Sequence, residues 1–484
     1  MFEKNKFDFI YDNSFKDLVK ERLIDYSSER FFIAGRDYLW WDAEYSFPLH
    51  INFQSIIRKN IKAFISRSKQ MYKKSKVCFS VKTYPNIKVL QTIASEGAGA
   101  DVVSDNELRA SIDAGILKKD IFLNGNCKSD DLISRAIKED IVIVADNVDE
   151  FKIISSIAES IGVKAKLLLR LSGFGVKKAT EEAVLTSGEW TKFGENINNV
   201  SAFIRTLKEY PFVNFLGFHT HIGTQITDIS VYASVMQKMI EISLELLQQF
   251  NIKISILNIG GGFPVQYLNL DQWTYMKSRV AQGEAFAWAN LKNSDQNFYT
   301  EYPKSETLEQ ILKSEIIIGG TSLTVKDALF LIGEPELVVE PGRSVVCDSG
   351  ITLANVSYTR QITGGHNLVN LEFGGSNMAE CLLYPNMKKW IIVNKHLQCD
   401  LDPFEAFIAG NLCFTGDMLA KYKVLLQRKP ARGDTLLIFD TGGTGQHFFA
   451  ATPNSFPRPP RILVTDENDV VALKLRDRYE DIIV

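Results

Sequence analysis

The feature that most constrains the fold of this chain is a regular alternation of short apolar runs with segments of helical spacing. From residue 77 onward, runs rich in β-branched and aliphatic residues end about 20 to 24 residues apart. The first five are VCFSVKT, ADVVS, IFLNG, IVIVAD and AKLLLRL, which end near Lys82, Ser104, Gly125, Asp146 and Arg170. Segments such as NELRASIDAGI and SDDLISRAIKED lie between them and have the apolar spacing of helices. Each unit therefore predicts a strand, a helix and a further parallel strand.

The alternation continues far enough to predict a closed sheet. The runs FLGFHTHIG (215–223), ISILNIGGG (254–262) and ELVVEPGR (336–343) bring the strand candidates to eight, which predicts an α/β fold with a TIM-like (β/α)8 barrel. A doubly wound open sheet has the same alternation and is the competing topology. Polar residues at the carboxyl ends of the strands favour the barrel, since barrel enzymes assemble their sites at that rim. These residues are Lys82, Ser104, Asn124, Asp146, Arg170, His221, the glycines at 260–262 and Glu340.

The rest of the chain predicts a second, mainly β domain. After Arg343 the pattern changes to strand-like runs separated by turns, among them GITLANVSYTRQI, KKWIIVNK and DTLLIFD. We therefore expect the barrel at 51–347 and the β domain at 348–484. Strands of the N-terminal segment 1–50 are expected to form part of the β domain. The connection between Gly262 and Glu340 is longer than one crossover helix requires, which predicts an insertion at about 268–330 as an extra helical layer or a lid.

Composition limits the possible partners and the cellular location. The 484 residues have a net charge of −3, which gives no broad attraction to nucleic acid or to anionic membranes. Neither a signal peptide nor a membrane-spanning apolar run is evident, so we expect a cytoplasmic protein. The six cysteines, which include Cys399, form no CxxC pair and are expected to be reduced thiols without zinc.

Three motifs at the predicted rim offer groups that suit one cofactor. Lys82 ends an apolar strand, where a buried amine is costly unless it is paired, deprotonated or used covalently, although it can equally begin an exposed loop. Gly260 to Gly262 form a turn whose bare amides can approach a phosphate, although a tight turn alone also explains them. Glu340 and Arg343 supply a carboxylate and a guanidinium, or else an internal ion pair. Together they match the aldehyde, phosphate and ring nitrogen of pyridoxal 5′-phosphate.

At these residues the sequence resembles the fold-type III decarboxylases, which include the diaminopimelate, ornithine and arginine decarboxylases. The segment SVKTYPNIKVLQTIASEGAGADVVSDNELRASIDAGI (80–116) is similar to the region around the cofactor lysine of that family. Later similar motifs, in the same order, are TKFG (191–194), GFHTHIGTQITD (217–228), NIGGGFP (258–264), EPGRS (340–344), GNLCFTGDML (410–419), FDTGGTG (439–445) and FPRPPRILV (456–464). The resemblance implies an alanine racemase-like pairing of barrel and β domain, pyridoxal phosphate as cofactor, and decarboxylation of a small amino acid.

The resemblance also implies roles for individual residues. Lys82 would hold the cofactor covalently, His221 would stack on its ring, and Glu340 would bind the ring nitrogen. The phosphate would be held by residues of several loops, namely Thr224, Gly261, Gly262, Gly342, Arg343 and Thr444. Cys413 would project into the site of a second subunit and return a proton, with Asp417 near the substrate, which implies a homodimer with shared active sites. His219 and His221 alternate on a strand as metal ligands can, but no third ligand is evident, so no metal is expected.

Three departures from the family pattern affect the substrate and the phosphate site. Thr444 stands where relatives have a phosphate-binding tyrosine, and Phe414 stands where they commonly have an acidic residue. Glu380 lies near the position of an arginine that binds a distal carboxylate in diaminopimelate decarboxylases. This change of charge favours a substrate with a cationic tail, such as ornithine, lysine or a related diamino acid, unless Glu380 is only a surface residue. A racemase-like enzyme and an inactive homologue that acts as a binding protein are the alternatives.

Overall fold

The structure, a computed structural model, describes residues 13–26, 30–175, 191–281, 287–288, 298–378, 380–383, 388–395 and 403–483. The chain divides into two compact units. The barrel unit comprises residues 58–265 and 300–345, and the β unit comprises residues 1–57, 266–299 and 346–484. The expected insertion is thus split between the two units, since its first part clusters with the β unit and its second part with the barrel unit. Cys399 lies outside the described residues.

Eight parallel strands form a closed barrel in the barrel unit. They are Ser75–Ser80, Gly99–Val102, Ile121–Leu123, Val142–Ala145, Ala165–Ser172, Val213–His219, Ile256–Asn258 and Glu336–Val339. Each strand pairs with its neighbours in chain order, and the last strand pairs with the first, with Val339 opposite Val77. The (β/α)8 prediction is confirmed, and the open-sheet alternative is wrong.

The barrel strands are apolar because both of their faces are covered. Most residues of these strands are buried, as is typical of parallel strands that carry helices outside and side chains inside, although Val213–His219 is buried only at its carboxyl end. The helices of this part of the chain are Gln54–Met71, Ile87–Ser95, Asp105–Asp113, Asp130–Lys138, Val148–Ile161, Ile197–Thr206, Ile229–Phe250, Ser305–Lys313, Val325–Leu331 and Arg343–Val346. Short 3-10 turns lie at Val81–Thr83, Lys118–Asp120 and Leu207–Glu209, and a hairpin lies at Glu315–Ile318 and Thr321–Thr324.

Some of the polar residues that follow the barrel strands cap the next helix. Ser104 caps the helix Asp105–Asp113, since its hydroxyl accepts the backbone N–H of Glu107 at 3.2 Å. Asn147 caps the helix Val148–Ile161 through a 2.9 Å bond from Glu150 N–H. Such caps satisfy N–H groups that have no partner inside the helix. A polar residue at a strand end therefore does not by itself identify a site residue.

The β unit is built around a mostly antiparallel sheet. Its strands are Leu49–Phe53, Gly350–Gln361, Asn367–Leu371, Trp390–Ile392, Phe404–Ala409, Met418–Leu426, Thr435–Ile438, Arg461–Val464 and Val470–Lys474. Three two-residue strands, Ile24–Asp25, Phe32–Ile33 and Arg36–Asp37, form a separate small sheet. Because Leu49–Phe53 pairs with both Gly350–Gln361 and Arg461–Val464, the N-terminal segment belongs to this sheet.

The helices of the β unit are short, apart from one. They are Asn13–Lys20, Tyr38–Tyr45, Leu270–Ala281, Glu380–Leu383 and Thr444–His447. The loop before the last of these packs closely on the backbone, since a Cβ atom on Gly442 would lie 2.0 Å from Val346 O. In the part of the chain that the structure describes, no helix combines the length and apolar character needed to cross a bilayer.

Candidate active site

Glu340 follows the last barrel strand, and its carboxylate is buried. Asn258 Nδ2 donates to Oε1 at 2.7 Å, and Asn124 Nδ2 lies 3.3 Å from the same oxygen. His219 Nε2 lies 3.3 Å from Oε2. Neutral groups from three other strands thus surround this carboxylate at the carboxyl end of the barrel.

The ionisation of Glu340 is set mainly by its burial. Desolvation raises the pKa of Glu340 to about 7, although the Asn258 hydrogen bond and the charges of Lys82 and Arg170 act to lower it. The ionised form of such a buried carboxylate is stabilised when a cation binds beside it.

Lys82 lies next to the loop that carries Glu340. It is half-buried in the 3-10 turn Val81–Thr83, directly after the first barrel strand. This turn packs against Gly342, where a Cβ atom would lie 2.4 Å from Thr83 Cγ2. The positive charge of Lys82 also contributes to lowering the pKa of Glu340. The two residues predicted to bind opposite features of one cofactor therefore share one rim of the barrel.

Asp101 is a second buried carboxylate at this rim, and the sequence analysis did not single it out. Ser80 Oγ donates to its Oδ2 at 3.0 Å, and Asn124 Nδ2 donates to its Oδ1 at 2.8 Å. Burial and the negative charge of Glu340 raise the pKa of Asp101 to about 6. The sequence signal that could have identified Asp101 is an acidic residue within the apolar run ADVVS, because a charge buried there needs hydrogen-bonding or charged partners.

His219 and His221 differ in their surroundings, although both follow the sixth strand pattern. His219 is fully enclosed, and burial together with the charge of Arg170 lowers its pKa to about 3, so it is neutral. Its Nδ1 atom is buried without a hydrogen-bond partner among the described residues. His221 is half-buried, and desolvation followed by the charge of Lys82 lowers its pKa well below the usual value.

The loop after the sixth strand is joined to the glycine turn after the seventh. Gly261 N–H donates to His221 Nδ1 at 3.0 Å, and Ile226 N–H donates to Gly262 O at 3.0 Å. The half-buried Thr224 lies between these two attachment points. The structure therefore brings His221, Thr224 and the glycine turn together, as the sequence motifs predicted.

The glycine turn has no room for side chains. Gly260 and Gly262 have φ angles of +66° and +93°, which favour glycine. A Cβ atom on Gly261 would lie 2.5 Å from Glu340 O, and one on Gly262 would lie 2.7 Å from Tyr232 Oη. The glycines thus allow the Glu340 loop and Tyr232 to pack directly against the backbone of this turn.

Arg343 begins the four-residue helix that follows the Glu340 loop, and it is half-buried. Two further charged residues of the rim hold the TKFG segment. Asp146 Oδ1 accepts Gly194 N–H at 3.2 Å, and the Arg170 guanidinium lies over the Phe193 ring at 4.4 Å. The Arg170 side chain thus packs against Phe193, and its positive charge also acts to lower the pKa of Glu340.

The predicted site residues of the β unit fall into two groups, of which the first is the Cys413 loop. Cys413 and Phe414 are exposed, and Cys413 N–H donates to Asn454 Oδ1 at 2.9 Å. Asp417 is buried, and it accepts Gly375 N–H at 2.6 Å and Leu412 N–H at 2.8 Å. Asp417 therefore supports the loop that carries the thiol.

Glu380 and Thr444 form the second group. Glu380 is 3% exposed, so the surface-residue explanation of this glutamate is wrong. Its carboxylate accepts a hydrogen bond from the Thr444 hydroxyl and lies 3.4 Å from Lys388 Nζ. Lys388 also donates to Asp440 O at 2.6 Å. The negative charge of Glu380 is thus balanced inside the β unit.

The chemistry of the barrel rim fits pyridoxal phosphate. It offers a lysine amine, a glycine turn, a nearby guanidinium, and a buried carboxylate whose hydrogen-bonding neighbours are neutral. The unpartnered His219 Nδ1 shows that the rim retains hydrogen-bonding capacity. Across the residues that the structure describes, no cluster of three His, Cys, Asp or Glu side chains is arranged to hold a metal ion.

Comparisons with known proteins find similar pyridoxal-dependent decarboxylases. A family profile described as "Pyridoxal-dependent decarboxylase, pyridoxal binding domain" matches residues 58–287. Diaminopimelate decarboxylase from Bacillus methanolicus is 28% identical over 445 residues, which cover 91% of this chain and 93% of that protein. The Methanocaldococcus jannaschii diaminopimelate decarboxylase solved with L-lysine has 25% identity and a TM-score of 0.76, and the match covers 95% of this chain and 96% of that one. Lysine/ornithine decarboxylase from Vibrio vulnificus, solved with putrescine, shares the fold with a TM-score of 0.66 at 19% identity, over 89% of this chain and 98% of that chain.

The family profile and the diaminopimelate decarboxylase relatives support a barrel enzyme that uses pyridoxal phosphate to decarboxylate an amino acid. Residues 58–287 match the pyridoxal-dependent decarboxylase family, and the similarity to diaminopimelate decarboxylases over the rest of the chain supports the fold-type III pyridoxal phosphate-dependent decarboxylases as its family.

Proposed function

We propose that Lys82 binds the cofactor covalently through its amine and that Glu340 binds the protonated ring nitrogen. The observation that carries this proposal is the buried Glu340 carboxylate, which lies beside the Lys82 turn and has neutral donors as its hydrogen-bonding neighbours. When bound, pyridoxal phosphate supplies an electron sink for the pair left on the substrate after carbon dioxide departs. The negative charge of Glu340 stabilises the protonated ring, which is the better electron acceptor.

The remaining barrel residues orient the cofactor in this proposal. Gly262 and Arg343 hold the phosphate with a backbone amide and a guanidinium, and Thr224 adds a hydroxyl. Gly261, whose N–H donates to His221 Nδ1, lines the phosphate site with its backbone. Gly342 allows the Lys82 turn to approach this loop closely. His221 stacks on the ring, and because it is neutral it adds no positive charge there.

Outside the barrel unit, we assign proton return to Cys413. Its exposure is consistent with presentation to the site of a second copy of the chain, as the family resemblance implies. Asp417 positions the loop that carries it. Thr444 remains a predicted phosphate ligand, although its hydroxyl donates to Glu380 in this structure.

We infer that the substrate is a diamino acid. The curated relatives that match more than nine tenths of this chain act, by their names, on diaminopimelate. We therefore place diaminopimelate first and lysine and ornithine second. A carboxylate opposite the ring nitrogen favours decarboxylation over racemisation, because racemases of this barrel type typically have an arginine there.

The experiment is a carbon dioxide release assay over D- and L-forms of diaminopimelate, lysine, ornithine and arginine. We expect release from at least one diamino acid, and a loss of roughly a thousand-fold or more in Lys82→Ala because the covalent attachment is removed. Lys88→Ala is the matched control, since Lys88 is exposed on the helix Ile87–Ser95 six residues later. Release that persists in Lys82→Ala would overturn the assignment of Lys82, and release only from monoamino acids would overturn the substrate class.

A further inference from the structure

The side chain of Asn124 joins the buried carboxylates of Asp101 and Glu340. Asn124 follows the third barrel strand and is 5% exposed. Its Nδ2 atom lies 2.8 Å from Asp101 Oδ1 and 3.3 Å from Glu340 Oε1. Because an amide nitrogen carries two hydrogens, Asn124 can donate one to each carboxylate.

A neighbouring histidine leaves both of these hydrogens available. His219 Nε2 lies 3.4 Å from Asn124 Nδ2 and 3.3 Å from Glu340 Oε2. A neutral His219 with its proton on Nε2 donates to Glu340 and therefore does not compete for the hydrogens of Asn124. The two oxygens of Glu340 then receive hydrogen bonds from three side chains on three strands.

The network holds two acidic groups close together in a buried place. The negative charge of Glu340 raises the pKa of Asp101, whereas hydrogen bonds from Asn124 act to lower the pKa of both carboxyl groups. Seven other titratable groups act on these two carboxylates or lie around them, namely Lys82, Cys78, Glu107, Asp146, Arg170, His219 and His221. Of these seven, Lys82 and Arg170 favour ionisation of the carboxyl groups, whereas both histidines are neutral. Hydrogen bonds are therefore a substantial part of what favours the ionised form of both acids.

We propose that Asn124 is a positioning residue, which holds the carboxylates of Glu340 and Asp101 in one orientation and favours the ionised form of each. Asn124 acts through Glu340, so the inference rests on the proposed contact of Glu340 with the ring nitrogen. Without the amide, Glu340 takes up a proton at higher pH and loses the charge that attracts the protonated ring.

The test is the affinity of the purified protein for pyridoxal phosphate, measured by fluorescence quenching at about pH 6 to 9. In the wild type we expect affinity to fall as the pH falls through the protonation of Glu340. In Asn124→Leu, which removes both donors at similar volume, the midpoint of this fall moves up by about one pH unit. Affinity at neutral pH then drops by about tenfold, as expected for one lost hydrogen bond to a charged group. Titration of the cofactor phosphate is common to all variants and cancels in the comparison.

A second variant predicts a shift of the opposite sign. Asp101→Asn removes the neighbouring negative charge, so the midpoint moves down in pH. Asn126→Leu is the matched control, because Asn126 is exposed two residues later, and it keeps the wild-type midpoint. A thermal melt of each variant identifies those that fail to fold, and Asp101→Asn tests the same coupling if Asn124→Leu does not fold.

Two failures are distinguishable. If Glu340→Gln leaves the affinity and its pH midpoint at wild-type values, the proposed contact of Glu340 with the ring is wrong. If Glu340→Gln removes the part of the pH dependence that exceeds the titration of the cofactor phosphate, but Asn124→Leu and Asp101→Asn keep the wild-type midpoint, the inference about Asn124 alone is overturned.

Discussion

At the scale of single residues, the pairing of Glu380 with Lys388 changes how the glutamate at position 380 is interpreted. The sequence placed a glutamate near the position where some relatives carry a substrate-binding arginine. In the structure, Glu380 bonds to Lys388 and Thr444 and is buried. A cationic substrate tail that used this carboxylate would have to compete with Lys388. The reversal of charge is therefore compensated within the chain, and it is weak evidence for a cationic substrate.

This pairing predicts a large effect of Glu380→Gln on stability. The substitution leaves the Lys388 ammonium buried without its charge partner, so we expect a loss of roughly 3 kcal/mol in the free energy of unfolding. Urea unfolding monitored by circular dichroism measures it. Glu372→Gln, at an exposed glutamate of the same unit, is the control. The double variant Glu380→Gln/Lys388→Met is expected to recover part of the loss. An unchanged stability together with a raised KM for diamino acids would instead favour a substrate-binding role for Glu380.

At the scale of elements, the close approach of the FDTGGTG loop to the start of the strand Gly350–Gln361 is a second sensitive point. A Cβ atom on Gly442 would lie 2.0 Å from Val346 O and 2.9 Å from Gly350 N. Both contacts are with backbone, which cannot move aside as a flexible side chain can. We expect Gly442→Ala to destabilise the protein by about 2 kcal/mol.

The thermal midpoint of the purified protein measures this effect. Gly445→Ala is the control, because its added methyl group would meet Thr441 Cβ at 3.8 Å, which is ordinary contact. Equal midpoints for the two variants would show that the loop relaxes without cost.

The elements also show why some of the site was predictable from sequence and some was not. Lys82, His221, the glycine turn and Glu340 end separate strands, and parallel strands place such ends at one rim. The bonds of Asn124 to Asp101 and Glu340 depend instead on which strands are neighbours after closure and on the side-chain rotamers. The apolar periodicity of the sequence predicts which face of a helix or strand is buried, but it does not predict hydrogen bonds between side chains of different strands. The same reason explains why the assignment of residues 266–299 to the β unit was not evident in the sequence.

At the scale of the whole molecule, buried histidines predict sensitivity to acid. Burial lowers the pKa of His50 to about 3 and that of His447 to about 4, from an ordinary value of 6.5. Each ring binds a proton more readily when the chain is unfolded, so this stability is present above about pH 6.5 and is lost as the pH falls towards 3. We expect the thermal midpoint of the holoenzyme to decrease between about pH 7 and pH 5, and to decrease less in His50→Gln. Parallel curves for the two proteins would contradict the prediction.

The attachment of the loop that carries Cys413 has a consequence for its reactivity. Asp417 accepts backbone N–H groups from Leu412 and Gly375, and Asn454 accepts the N–H of Cys413 itself. The loop is thus ordered before any reactant arrives, although the thiol stays open to solvent. Most of the entropy of fixing this segment is lost during folding, so little remains to oppose the proton return that we propose for Cys413.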